Sequence, residues 1–208
     1  GNIGFPMLGV VDHLQKGEIM ILELSSYQLQ DLRLSPHIAV VTNLFPDHMD
    51  YHGGVKAYYA AKKNISAFQT PQDFFVYNQH DKQLRLWALE AASVTIPFAD
   101  DVNFRQIESR LLGEHNKENV RAAVSVARIL GVSDSEIRRA IKKFIPLPHR
   151  LEFVGTFQGI TFYDDAISTT PESTIAALNA LPRVDTVFLG GLDRGYDFTE
   201  LERELHHH

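Results

Sequence analysis

The run His37-Ile38-Ala39-Val40-Val41-Thr42-Asn43, followed past a short polar loop by the Pro- and Gly-free stretch Val55 to Phe68, decides the fold. Its apolar residues are consecutive rather than alternate, the pattern of a strand buried on both faces. Glu18-Ile19-Met20-Ile21-Leu22-Glu23-Leu24 upstream has the same character, and Asp73 to Asn78 and Ser93 to Pro97 repeat it more weakly. Lys82 to Ala92 is a second stretch without helix breakers. This alternation predicts an α/β fold, a mostly parallel sheet with helices on both faces.

Downstream the helical signals sharpen. Between Lys117 and Leu130, Val120, Ala123, Val124 and Ala127 fall on one helix face, and Gly131 stops the helix. Ser133-Asp134-Ser135-Glu136 has capping-box form, with Ile137, Ala140, Ile141 and Phe144 as the apolar stripe behind it. Ile145-Pro146-Leu147-Pro148 breaks the pattern, which sets the expected domains at 1–147 and 148–205. Arg150 to Phe162 reads as two strands around Gln158-Gly159, and Thr170-Pro171 as the start of a helix reaching about Leu181. Val184 to Leu189 reads as another buried strand ending in Gly190-Gly191, and His206 to His208 as a purification tag.

Composition excludes several functions. Lys and Arg total 20 against 26 Asp and Glu, a net charge of -6 with no basic run, so nucleic-acid binding is not expected. The absence of Cys removes disulfides, thiolate metal sites and a Cys nucleophile, and suits a cytoplasmic location. No apolar stretch reaches the roughly 18 residues of a membrane span. Gly-x-Ser-x-Gly, Gly-x-Gly-x-x-Gly and the phosphate loop Gly-x-x-x-x-Gly-Lys-Ser/Thr are all missing from the 208 residues.

The polar residues that stand out follow the ends of strands, where open α/β sheets bind ligands. They are Glu23, then Asn43, Asp47 and His48, then Asp164 and Asp165. Lys62 is more unusual. On a helical wheel of about 100° per residue, it falls at the centre of the stripe formed by Val55, Tyr58, Tyr59 and Ile65. Two readings stay open: a snorkelling lysine whose stem covers apolar surface, or a lysine aimed into a site. Asn116 and Asn119 precede or open a helix and suit either caps or ligand contacts. Arg150 is an anion donor at a domain junction, and Gly190-Gly191-Leu192-Asp193-Arg194-Gly195 combines backbone freedom with a cation. The spacing of His13, His37, His52, His80 and His115 forms no recognisable metal motif, which makes them structural or surface residues by default.

Taken in order, Gly1-Asn2-Ile3-Gly4, Glu23-Leu24-Ser25-Ser26-Tyr27-Gln28-Leu29, Asp47-His48-Met49-Asp50, Ala60-Ala61-Lys62, Gly113-Glu114-His115-Asn116-x-x-Asn119, Pro148-His149-Arg150, Tyr163-Asp164-Asp165 and the Leu192-Asp193-Arg194-Gly195 block resemble the Mur ligases. These are ATP-dependent amide-forming enzymes of peptidoglycan precursor synthesis. The opening motif and the Leu-Asp-Arg-Gly block are similar to the members that add D-glutamate to UDP-N-acetylmuramoyl-L-alanine. The resemblance implies an incomplete P-loop-type central ligase domain over 1–147 and the start of a Rossmann-like C-terminal domain over 148–205. It implies two Mg²⁺ sites served by Glu23, His48 and Lys62, with Lys62 carried as a carbamate. It places Asn116 and Asn119 at the adenine of ATP, Arg150 at its phosphates and Asp165 at its ribose. Lys62, His48 and Arg150 would be the catalytic set. Asn2, Ser25, Gln28 and Asn43 would line the uridine-nucleotide and γ-phosphate side, and Thr169 and Arg194 the D-glutamate side. A monomer using only small-molecule substrates is expected.

The sequence also departs from the family. Ile167 stands where many D-glutamate-adding members carry lysine. The family's phosphate loop and uridine-nucleotide domain lie upstream of the matched region. The 208 residues are therefore expected to be a piece cut inside domains at both ends and inactive alone. The competing readings are another ligase of the superfamily, such as a folylpolyglutamate synthase, and a non-catalytic nucleotide-binding module.

Overall fold

The computed structural model describes residues 8–98, 109–181, 183–192 and 195–207, which divide into two compact units, 1–98 and 99–208. Asn2 and Arg194, both expected at the site, lie outside the described residues. The expected boundary at Pro146–Pro148 falls within the second unit.

The first unit contains the short helices α1 (Leu8–Val11), α2 (Ser26–Leu29) and α3 (Met49–His52), the longer α4 (Val55–Ala67) and α5 (Lys82–Glu90), and strands β1 (Ile38–Val41), β2 (Phe74–Asn78) and β3 (Val94–Phe98). The strands form a parallel sheet in the order β1-β2-β3, with Ile38 opposite Phe74 and Phe74 opposite Val94. Parallel neighbours need long crossovers, and α4 and α5 supply them. β2 is central and reads apolar without alternation because both its faces are covered: Phe75 and Val76, pointing to opposite sides, are fully buried. Ala39, Val41, Leu44, Phe75, Leu84 and Trp87 make the core, with Tyr59 and Ile65 of α4 packed against it. Pro97 is accommodated because, among the described residues, β3 pairs with β2 alone and so stands at the sheet edge, where proline is tolerated. Buried Gln69 ties the entry ends of all three strands. Its Nε2 donates to the carbonyls of Pro36 and Phe74 at 3.0 and 2.8 Å, and its Oε1 accepts from the Ser93 hydroxyl at 2.9 Å.

The second unit holds α6 (Glu114–Ile129), α7 (Asp134–Lys143), strands β4 (Glu152–Phe157) and β5 (Ile160–Asp164), α8 (Pro171–Ala180) and α9 (Thr199–His207). Val124 and Ile137 form its buried seam, flanked by Val120, Ala127 and Ile141, as the apolar spacing predicts. The stripe is shifted at one position, because Ala122 is buried while Ala123 is exposed. Ser133 caps α7 with the reciprocal Ser133–Glu136 box, and Thr170 caps α8 with Pro171 in its first turn. β4 and β5 pair antiparallel across Gln158-Gly159, whose φ values of 51° and 82° are those a two-residue hairpin loop requires. Val154 is an unpaired bulge between Phe153 and Gly155.

Two expected strands are absent. Glu18 to Leu24 takes no strand conformation and leaves Ile21 89% exposed, and Val184 to Leu189 leaves Phe188 91% exposed. An apolar run states what the side chains favour, but a strand also requires a neighbour's N–H and C=O groups. Neither segment has such a ladder among the described residues. The expected tag residues His206 and His207 continue α9.

Candidate functional site

In the first unit the site forms where β1 ends and α2, α3 and α4 meet. Ser25 and Gln28 build a capping box at the start of α2. Ser25 Oγ accepts from the Gln28 amide, and Gln28 Oε1 accepts from the Ser25 amide at 2.9 Å. The Ser-x-x-Gln spacing that produces it is the signature of such a box. Asp47 ends the loop after β1, and its Oδ1 accepts from the His48 amide at 2.7 Å. His48 adopts left-handed backbone (φ 57°, ψ 39°) ahead of α3, and its Nε2 lies 3.4 Å from Asp47 Oδ2.

Around His48 stands an aromatic group that sequence periodicity did not single out. Tyr27 lies 5.0 Å from the His48 ring and 4.4 Å from Tyr51, and His52 packs edge-on to Tyr58 at 5.4 Å. His52 Nε2 is also 3.0 Å from Ser26 Oγ, so this residue, expected to be structural, joins α3 to α2. The Lys62 ammonium lies 5.2 Å from the centre of the Tyr58 ring. Burial lowers the Lys62 pKa from its ordinary value, while Asp47 and Glu23 both act to raise it. Glu23 and Asp47, from two separate segments, are therefore each within electrostatic reach of Lys62. The helical-wheel placement of Lys62 holds at Tyr58, Tyr59 and Ile65, whereas Val55 is 42% exposed and leaves that end of the stripe open. Asn43 is exposed in the loop beyond β1. A cavity of about 400 Å³ between α2, α3 and α4 is lined by Tyr51, His52, Ala61 and Asn64 among others. None of the residues expected to touch ligands lines it.

In the second unit Asn116 and Asn119, two of the expected nucleotide residues, lie in the first two turns of α6. Neither Asn116 nor Asn119 is the N-cap, which is Gly113. Asn116 Nδ2 donates to the Leu112 carbonyl at 2.7 Å, and Asn119 Nδ2 reaches Asn116 Oδ1 at 3.5 Å. Beside them His115 is partly buried, its pKa lowered by that burial against the opposing pull of Asp165 and Glu118. Gly113 holds φ 87° and ψ 158°, backbone open in practice only to glycine. A Cβ there would stand 2.8 Å from both the Ala180 Cβ and the His115 ring. Gly113→Ala is expected to lower stability by roughly 2–5 kcal/mol through backbone strain plus overpacking. Urea unfolding reads this directly, and an unchanged midpoint would contradict the close approach of α6 to α8.

Asp165 is committed within the loop it starts. Its Oδ1 accepts from the Leu151 amide at 2.9 Å and its Oδ2 from the Ser168 hydroxyl. Arg150 and Thr169 are exposed. His149, Glu152 and Asp164 bring donor atoms within 4.8 Å of one another, a spacing open to a metal ion. These groups already hydrogen-bond among themselves, through His149 Nδ1 to Asp164 Oδ2 at 2.7 Å and the His149 amide to Glu152 Oε2 at 2.9 Å. Among the described residues, no helix is long and apolar enough to cross a membrane.

Comparisons with known proteins agree with the α/β fold and identify its family. The family described as Mur ligase middle domain matches residues 3–103. UDP-N-acetylmuramoylalanine–D-glutamate ligase of Symbiobacterium thermophilum is 37% identical over 223 residues, covering 95% of this chain and 49% of the relative. The chain thus spans about half the length of the curated relatives it matches. Among solved structures, MurF from Acinetobacter baumannii superposes with a TM-score of 0.62 at 24% identity, covering 75% of this chain and 39% of its own. MurF ligase from Thermotoga maritima in complex with ADP superposes with a TM-score of 0.57 at 18% identity, covering 71% and 40%. At these identities the structural matches establish the α/β fold alone.

Proposed function

Because the chain belongs to the Mur ligase family, we propose that it forms part of an ATP-dependent ligase joining D-glutamate to UDP-N-acetylmuramoyl-L-alanine. The observation that carries the reading is the convergence of Glu23 and Asp47 on half-buried Lys62, with His48 held beside Asp47. A lysine held there by stability alone is costly, since the amine loses hydration without gaining a dedicated partner shell. A lysine carried as a carbamate would instead offer oxygen donors to a metal ion, whose charge offsets that of the neighbouring carboxylates.

The residues present fit Mg²⁺ on chemical grounds. Magnesium takes hard oxygen donors, which the Glu23 and Asp47 carboxylates offer. Lys62 fits as a carbamate and does not fit as an ammonium. His48, fixed beside Asp47, would complete the metal side. When bound, magnesium offsets phosphate charge as two anions are brought together. In the proposed reaction the substrate carboxylate attacks the ATP γ-phosphorus, releasing ADP and forming an acyl phosphate. The D-glutamate amine then attacks the acyl carbon, phosphate leaves, and the amine gives up its proton as the amide forms. This chain's own residues position the reactants: Ser25 and Gln28 at the rigid start of α2, Asn43 beyond β1, Asn116, Asn119 and Asp165 on the nucleoside, Arg150 on the phosphates, and Thr169 on the D-glutamate side.

The domain assignment, an ATP-binding domain over 1–147 and a glutamate-ligase domain from 148, belongs to the same proposal, as do a monomer and a cytoplasmic location. Phosphate release from ATP, measured in the full-length ligase, tests it. Release is expected to require UDP-N-acetylmuramoyl-L-alanine and D-glutamate together. Equal rates with L-glutamate or with a folate acceptor would sink the assignment.

A further inference from the structure

The connection between α7 and β4 holds Arg150 in an unusual frame. The residues on either side, His149 and Leu151, take φ values of 61° and 48°, backbone that side chains with a Cβ rarely adopt. Such a conformation persists where the surroundings over-determine it, and here they do. The His149 amide donates to Glu152 Oε2 at 2.9 Å, the His149 ring Nδ1 meets Asp164 Oδ2 at 2.7 Å, and the His149 carbonyl accepts from the Ile167 amide at 3.3 Å. On the other side the Leu151 amide donates to Asp165 Oδ1 at 2.9 Å, and the Leu151 side chain is buried. Asp164 is itself steadied by accepting from the Ala166 amide at 2.9 Å. Arg150 thus has both neighbours pinned, while its own side chain is exposed and makes no hydrogen bond or ion pair among the described residues.

We propose that the His149–Asp164 pair, backed by Glu152, is a clip that presents the Arg150 guanidinium to the nucleotide phosphates, making His149 and Asp164 positioning residues for that contact. The inference rests on the phosphate role given to Arg150 above and adds what aims it. Bidentate recognition of phosphate depends on the orientation of the guanidinium plane, so rotation of the carrying backbone degrades it even when the arginine is present.

The clip also has a pH window. Asp164 and Glu152 face His149 and raise its pKa above the ordinary 6.5, and the pairing lowers that of Asp164 below the ordinary 3.8. The charged pair is fully present between those ordinary values. Its contribution is lost as pH rises through the raised His149 pKa or falls through the lowered Asp164 pKa. His149 is exposed and Asp164 half-buried, both in contact with solvent, so salt weakens it.

The test measures kcat and KM for ATP in the full-length ligase for Arg150→Ala, His149→Ala, His149→Asn and Asp164→Ala, with melting temperature recorded for each. His149→Ala and Asp164→Ala are expected to raise KM for ATP by about 10- to 100-fold. His149→Asn keeps a donor at the Nδ1 position and tolerates left-handed backbone, so it should restore most of the affinity. It should also flatten the rise of KM expected for the native protein as pH rises through the raised His149 pKa. If Arg150→Ala leaves KM unchanged, the phosphate role of Arg150 fails. If Arg150→Ala is impaired while His149→Ala binds ATP normally, the clip fails and the arginine role stands. A lowered melting temperature with an unaltered pH profile and no rescue by Asn also overturns the clip, leaving the pair structural.

Discussion

Lys62→Ala is expected to lower D-glutamate-dependent phosphate release in the full-length ligase by at least about 100-fold, the scale of losing a group that organises charge at the reacting phosphate. Added bicarbonate should not restore it, because the residue that would carry the carboxylate group is gone. The measurement is clean because the fold should survive. Lys62 contributes a contact with the Tyr58 ring at 5.2 Å, but its amine is also partly stripped of water, and alanine is a strong helix former. A direct readout accompanies the rate: ¹³C-bicarbonate should give a carbamate carbonyl resonance with the native protein and none with Lys62→Ala. Near-native turnover in the variant would refute the carbamate role, and retained turnover together with a native resonance would place the carbamate elsewhere.

Phe75→Ala should cost about 3–5 kcal/mol of stability, typical for emptying a fully buried aromatic site. Phe75 lies on the central strand, stacks on Tyr77 at 5.4 Å, and belongs to the cluster with Leu84 and Trp87. Strand β2 is bonded on both edges, so the backbone cannot collapse readily into the vacated space. Domains have total stabilities of about 5–15 kcal/mol, so this single change removes a large share. Urea unfolding should show a lower midpoint with little change in slope. A loss under about 1 kcal/mol would mean that the covering helices are not closed over β2.

The parts of the fold legible in the sequence are those where local pattern and tertiary environment agree. β2 was legible because a strand covered on both faces must be apolar at successive positions, and β1 and β3 carry the same kind of apolar run although they are only partly buried. α7 and α8 were legible because their caps are written in adjacent residues. Glu18 to Leu24 and Val184 to Leu189 failed because their side chains state a preference that only a neighbouring backbone can satisfy. Gln69 was invisible for the opposite reason: its three hydrogen bonds reach Pro36, Phe74 and Ser93, and no local pattern announces a polar residue buried by distant partners.

The site divides the same way. Lys62 was found because a charge on an apolar stripe is a local contradiction. Its approach to Glu23 was implied by the family resemblance, whereas that to Asp47 appeared only in the tertiary structure. Tyr27, Tyr51 and His52 were missed because they sit on helices of four residues, too short for any face to repeat. The His149–Asp164 pairing was missed because it depends on two positive φ values, which residues other than glycine do not advertise.

The order in which the strands join has a kinetic consequence. β4 and β5 meet across a two-residue turn, a closure of the kind completed in about 1–10 μs. β1 meets β2 through Ile38 and Phe74, and β2 meets β3 through Phe74 and Val94, so each pairing must first close a loop that contains a whole helix. That closure entropy is incurred before the ladder rewards it, and parallel pairing is correspondingly slow. Pulse-labelled hydrogen exchange during refolding should therefore protect the amides of Phe157 and Ile160, the bonded pair beside the turn, well before those of Val41 and Val76. During that interval the apolar side chains of Phe75, Leu84 and Trp87 are open to other chains, which makes the first unit the one whose refolding yield falls as protein concentration rises.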